Sequence, residues 1–351
     1  MQWDVFCRVV DHWGDAGVCW RLCADLAARG EAVRLWIDDP SPLLWMAPHG
    51  QAVEIVHWTD DAVDLAPRDV VVEAFGCDPP PRFVARLAAM PRPAAWINLE
   101  YLSAEPYAEA SHGLPSPQLA GPGRGLTKWF FFPGFSADSG GLIREPGLLE
   151  TRAAFERDAW LAQRGTARTG TERVVVLFCY DNPALPALID RLAETPTLLL
   201  AAAGSAAQQV APLLDGHGRR GALRAVALPL LPQAEFDRLL WSADIAFVRG
   251  EDSLLRAIWA GVPFVWQIYV QHDGVHARKL YALLDRLLAG ADESLAASLC
   301  SAWWAWNGLA AGEVVLPAAP AWQAQVQRWG AALAAQPDLT TRLLGFVRRK
   351  R

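Results

Sequence analysis

Arg249-Gly250-Glu251-Asp252-Ser253 is the stretch whose residue types and spacing point most directly to chemistry. It follows an apolar run, Ile245–Val248. It precedes Leu254, Leu255, Ile258 and Trp259, which recur at helical spacing. Gly250 permits a tight turn, and Asp252 or Ser253 is placed to cap the helix. The open N–H groups of a helix's first turn attract anions, and Arg249 adds a planar cationic fork. A diphosphate fits that combination. Taken alone, an ordinary capped helix beside a surface arginine explains these residues about as well.

Ala260-Gly261-Val262-Pro263-Phe264 follows, and short turns of this kind come after the donor-binding helix in many sugar-nucleotide transferases. That tips the balance towards a phosphate site. A second constellation is Asp11-His12-Trp13-Gly14-Asp15, which has no G-x-G-x-x-G fingerprint. Two carboxylates flank a glycine there, so the turn repels a pyrophosphate and welcomes a cation. Asp15 lies near a helix N-terminus, which favours its ionised form. Capping and turn roles account for one of the two carboxylates well and for both less well. Phe178-Cys179-Tyr180 and Pro229-Leu230-Leu231-Pro232-Gln233 end two further strands and offer an aromatic and an amide to a base and ribose, although packing or a turn is the default for each. No D-x-D stands at a strand end in the second half, so no metal is expected. Asp38-Asp39 and Asp60-Asp61 read as solvated turn residues.

The elements that must position these groups alternate. Val5–Val10 reads as a strand. A helix follows with Cys19, Leu22, Cys23 and Leu26 on one face and Gly30 as its stop. Ala32–Ile37 completes a β-α-β unit. Val70–Val72 and Ala95–Leu99 are further short strands. From Gly121 to Glu145 the pattern breaks, with a dense aromatic run, Lys128–Phe135. Arg164–Thr171 reads as a linker. The rhythm then restarts with Val174–Phe178, Thr197–Ala201, Leu223–Leu228, Ile245–Val248 and Val262–Ile268 as strands. The expected class is α/β: two Rossmann-like doubly wound domains facing across a cleft, with ligands beyond the carboxyl ends of the strands. Residues 1–163 form the first domain and 172–335 the second, and 336–351 is a helix able to cross back onto the first.

Composition narrows the partners. Hydrophobic residues make up 52% of the 351, enough for large cores, and Lys+Arg 32 against Asp+Glu 38 leaves a net charge of −6. A net acidic chain is not expected to coat nucleic acid or anionic lipid. Met1-Gln2-Trp3-Asp4 does not open a secretory signal and no apolar run spans a bilayer, so a cytoplasmic location and no membrane partner are expected. Six cysteines without a C-x-x-C pair read as reduced core residues. His272 and His276, one helical turn apart, lack a third ligand and read as surface or capping residues. Most of the 17 tryptophans should fill cores.

Together these segments resemble the EarP family, protein-arginine rhamnosyltransferases of bacterial translation elongation factor P. The resemblance is carried by Asp11–Leu22, Asn98–Glu105, Pro115–Gln118, Gly134-Phe135 with Ser139–Glu145, and Arg249–Ser253, in family order across most of the chain. It implies a GT-B architecture. It also implies inverting transfer of rhamnose from TDP-β-L-rhamnose to one arginine side chain of the factor, which activates it. By position, it assigns catalytic carboxylates to Asp11, Asp15 and Glu251. It gives substrate contacts to Gly14, Phe178, Tyr180, Gln233, Phe236, Arg249, Asp252 and Ser253. Leu230 stands where relatives often carry phenylalanine, which leaves Phe236 as the aromatic wall for the thymine.

The residues suit that chemistry. Neutralising a guanidinium of pKa about 13.8 at pH 7 costs about 7 pK units, or about 9 kcal/mol. A carboxylate cannot hold that proton at equilibrium but can take it as the C–N bond forms. Two carboxylates can also grip the planar group. Asp15 is the base in this reading and Asp11 the orienting group. Glu251 positions the acceptor or stabilises positive charge on the sugar ring. Two alternatives stand beside it: another metal-independent GT-B transferase with a different acceptor, and a non-catalytic nucleotide-sugar-binding adaptor.

Overall fold

The computed structural model describes residues 1–10, 13–47, 52–59, 65–270 and 274–350. Asp11, the Asp60-Asp61 pair and His272 lie outside the described residues. The chain divides into two units, Met1–Pro146 with Leu333–Arg351, and Gly147–Ala332.

In the first unit the strands are β1 (Gln2–Cys7), β2 (Ala32–Ile37), β3 (Val53–His57), β4 (Val70–Ala74), β5 (Ala95–Leu99), β6 (Pro115–Pro117) and β7 (Thr127–Phe131). Their order is β3-β2-β1-β4-β5-β7-β6, parallel except for β6 against β7. The period-two alternation of β1 splits its side chains between two cores. Trp3, Val5 and Cys7 join Cys19, Leu22, Cys23 and Leu26 of helix Gly14–Ala28. Phe6 faces the other way, stacked on Trp36 at 5.0 Å and edge-on to Phe83. Both faces being covered explains why β1, β2, β4 and β5 are mostly apolar, and why the polar residues within them, Asp4, Arg34, Glu73 and Asn98, are buried.

Helix Leu339–Lys350 closes the first of those cores with Leu339, Leu343, Leu344, Phe346 and Val347. Arg144 Nη1 donates to the Ala334 carbonyl at 2.6 Å and Arg342 Nη1 to the Ser139 carbonyl at 2.7 Å, tying this late segment down. Residues 147–163, expected in the first domain, pack with the second unit instead. Arg157 makes a two-pronged ion pair with Asp244 at 2.8 and 2.7 Å, and Trp160 Nε1 donates to Glu235.

Strand β1 ends at Cys7 rather than Val10. The Val9 and Val10 N–H groups turn to the side chains of Asp38 and Asp15 instead of a neighbouring strand. Strands β3, β6, β7 and β10 are absent from the sequence reading, and β7 lies in the aromatic run where the pattern breaks. Asp38 and Asp39 do hold a turn, Asp39 accepting from the Ser41 N–H at 3.0 Å.

The second unit carries β8 (Arg173–Leu177), β9 (Thr197–Ala201), β10 (Arg219–Arg220), β11 (Leu223–Ala227), β12 (Ile245–Arg249) and β13 (Phe264–Gln267), in the order β10-β11-β9-β8-β12-β13. Only β10 runs antiparallel among them. Trp303, Trp306 and Trp322 are fully buried, the bulk fillers that the composition required. The six cysteines are free thiols. The Cys7 thiol and burial push the Cys19 thiol up, and burial does the same for Cys23.

In each sheet the strand order reverses beside its first strand, between β1 and β4 and between β8 and β12. Loops leaving the carboxyl ends diverge there and leave a crevice.

Candidate active site

Arg249 is the last residue of β12 and stands before helix Gly250–Ala260. Gly250 takes φ +67°, a left-handed value that lets the chain turn straight from strand into helix. The helix therefore starts earlier than the sequence suggested. Glu251, Asp252 and Ser253 lie inside its first turn, and no side chain caps it. Ser253 is buried. Its hydroxyl accepts the Arg249 N–H at 3.1 Å and donates to the Arg249 carbonyl, closing the turn from within. Trp266 Nε1 donates to the Gly250 carbonyl at 2.8 Å and braces the turn from β13.

Phe178 and Tyr180 leave the end of β8, the neighbour of β12. The Arg249 guanidinium carbon sits 4.6 Å from the Phe178 ring centre and 4.3 Å from that of Tyr180. Two aromatic faces thus fix a planar cation at the switch point. Phe236 meets Phe178 edge-on at 5.2 Å. It comes from helix Gln233–Trp241, whose buried first residue, Gln233, shares its face at i,i+3 spacing. Phe178, Tyr180, Phe236 and Arg249 therefore form one contiguous group, with Gly250, Glu251, Asp252 and Ser253 on the turn beneath it. Leu230 is substantially exposed.

Sequence reasoning missed three residues here. Gln267, buried at the end of β13, accepts the Tyr180 N–H at 2.8 Å. Gln209 Nε2 donates to the Tyr180 carbonyl at 3.2 Å, and its Oε1 accepts the Asn182 N–H at 2.8 Å. Tyr269 is 57% exposed and packs edge-on against Tyr180 at 5.5 Å. A glutamine near the end of the apolar run Val262–Ile268, with a tyrosine two residues on, was the available signal.

In the first unit, helix Gly14–Ala28 begins at Gly14, with Trp13 as an N-cap that makes no side-chain bond. Asp15 is not the cap. It lies in the first turn, 3% exposed, and its Oδ2 accepts the Val10 N–H at 2.9 Å. The carboxylate is thereby fixed against the turn it was expected to serve. Its expected partner Asp11 lies outside the described residues. The buried Arg21, further along the same helix, pairs with Glu145 at 3.1 Å and so joins two of the motif stretches. His276 is buried rather than on the surface. Among the described residues no group of three or more His, Cys, Asp or Glu is placed to hold a metal ion, and no helix is long and apolar enough to cross a membrane.

Residues 3–348 match the family model described as Elongation-Factor P (EF-P) rhamnosyltransferase EarP. The chain belongs to the EarP family. A protein-arginine rhamnosyltransferase of Pseudomonas aeruginosa is 43% identical over 374 residues, covering 98% of both chains. Its counterpart in Pseudomonas putida is also 43% identical over 374 residues, covering 99% of this chain and 98% of the other. A solved structure presented as the structural basis for EarP-mediated arginine glycosylation of EF-P has a TM-score of 0.71 and 31% identity, covering 100% of this chain and 99% of that one. This EarP-family chain accordingly has the GT-B architecture, built from two Rossmann-like sheets.

Proposed function

We propose that this chain transfers rhamnose from TDP-β-L-rhamnose to an arginine side chain of translation elongation factor P, with inversion at the sugar carbon, activating the factor in the cytoplasm. The observation that carries the donor half is the Arg249 guanidinium, seated on Phe178 and Tyr180 at the start of helix Gly250–Ala260 in a member of a rhamnosyltransferase family.

Arg249 and the first-turn N–H groups hold the diphosphate. Phe178, Tyr180, Gln233 and Phe236 hold the base and ribose, with Asp252 beside them, and Ser253 acts through the turn it closes. As an arginine nitrogen attacks, the C–N bond forms while the bond from the anomeric carbon to the diphosphate oxygen breaks. TDP leaves with that electron pair, and Arg249 and the helix terminus stabilise its charge without a metal ion. The guanidinium proton passes to Asp15, with Gly14 keeping the turn open and Asp11 orienting the acceptor. Glu251 stabilises the positive charge that develops on the sugar.

The test is intact-mass analysis of elongation factor P after incubation with the enzyme and TDP-rhamnose in excess EDTA. One added rhamnose, mapped to an arginine, is the expected outcome. Absence of transfer, or transfer that chelator abolishes and magnesium or manganese restores, would overturn the reading.

A further inference from the structure

The turns after β4 and β5 carry an arrangement that the donor chemistry leaves unused. β1, β4 and β5 are adjacent and parallel, so their carboxyl ends open along one edge beside the switch point. Ligands of doubly wound sheets bind there. Immediately after β4, Phe75 adopts φ +59°, a left-handed value that a bulky residue rarely takes. Strain of this kind persists where surrounding bonds impose it, and it concentrates at binding sites. Here the Phe75 N–H is tied to the Leu99 carbonyl at 2.7 Å and the Gly76 N–H to Asn98 Oδ1 at 3.2 Å. The result is a ring laid flat on Tyr101, with centroids 4.2 Å apart and planes 12° from parallel. Tyr101 remains 37% exposed.

The other end of the same asparagine aims a charge. Asn98 Nδ2 donates to Glu100 Oε1 at 2.7 Å. Glu100 is half-buried, and burial raises its carboxyl above the usual range. It forms no ion pair among the described residues. Lys128, whose field reaches it, is held by Glu73 at 2.5 Å. A carboxylate kept short of a cation, next in sequence to a supported aromatic face, complements a planar cation better than a point charge.

We infer that Tyr101, backed by Phe75, and Glu100 form the subsite that receives the acceptor arginine's guanidinium. The Tyr101 ring lies under its plane, and Glu100 accepts from a nitrogen that does not attack. This rests on the acceptor being an arginine, and the test keeps the two claims apart because it reads binding without turnover. Calorimetry would measure elongation factor P, and its variant with the acceptor arginine changed to alanine, against wild-type, Glu100→Gln, Tyr101→Ala and Tyr101→Phe enzymes. On the wild type and on Tyr101→Phe, losing the arginine should weaken binding about 10- to 100-fold. On Glu100→Gln and Tyr101→Ala it should cost about 3-fold or less, with TDP affinity unchanged and both variants folded. An equal loss on every enzyme, or no binding of the factor to the wild type, would overturn the subsite. Absence of rhamnosylated product by a wild type that shows the coupling would overturn the transferase reading alone.

Discussion

Replacing Arg249 perturbs two quantities that the structure separates. The first is donor affinity. Charge-assisted hydrogen bonds to a diphosphate contribute about 1.5–3 kcal/mol, so Arg249→Ala should weaken TDP binding about 10- to 150-fold. The second is stability of the empty protein. The guanidinium lies 4.6 and 4.3 Å from two half-buried rings, and each such contact contributes about 0.5–1 kcal/mol. About 1–2 kcal/mol of unfolding free energy should therefore go with it. Arg249→Lys distinguishes charge from shape: it keeps a cation but loses the plane and the fork, so its TDP affinity should fall between wild type and alanine. Tyr180→Leu makes the converse change, leaving the guanidinium with more rotamer freedom to lose on binding. Isothermal titration of TDP at two salt concentrations, with thermal melting of the same variants, reads both effects. A folded Arg249→Ala enzyme that binds TDP within twofold of wild type would refute the diphosphate placement. A lysine variant equal to wild type in both measurements would refute the aromatic seat.

Other outcomes follow from single residues. Asp15→Asn still offers an oxygen to the Val10 N–H, so melting and TDP affinity should hold while single-turnover transfer falls ~10²–10⁴-fold; near wild-type turnover would remove Asp15 from the mechanism. Gln267→Leu leaves the Tyr180 N–H without its acceptor, which should cost about 1–3 kcal/mol of stability and weaken TDP binding, whereas Gln267→Glu keeps an acceptor; TDP titration of the two variants should rank them in that order. Burial, with the fields of Arg342 and Arg349, lowers His112 from 6.5 to about 4, and its Nδ1 accepts the Phe132 N–H. The folded form thus favours the neutral ring. Its contribution is complete above pH 6.5 and declines as pH falls towards 4, because the unfolded chain takes up the proton first. Denaturant titrations across that window should show the decline, and His112→Gln should flatten it.

Much of this was legible because both sheets are covered on both faces. Strands β2, β5 and β9 coincide with largely apolar runs that only Arg34, Asn98 and Thr197 break, and the donor-site residues sit where the apolar runs of β8 and β12 end. What escaped has physical causes. β3 is an edge strand with three of its five residues exposed, so it carries neither a buried run nor a clean alternation. β7 is largely half-buried and aromatic, and its pairing with β5 depends on contacts distant in sequence. Asp252 and Ser253 look like caps from composition alone, but the left-handed Gly250 starts the helix before them. Phe75 gives no signal at all: its backbone conformation is imposed by Leu99 and Asn98.

The first unit has a consequence for how the chain is made. Arg144 and Ala334 are bonded across 190 residues of sequence. The core over helix Gly14–Ala28 needs Leu343, Phe346 and Val347, which a ribosome delivers only after the whole second unit has been translated. At 5–20 residues per second that interval is roughly 10–40 s. Through it, Trp129 and Phe131, which pack against Phe346, wait uncovered while the second unit can already fold. The second unit is thus free to fold before the first is complete, and the first must be shielded until its closing helix arrives.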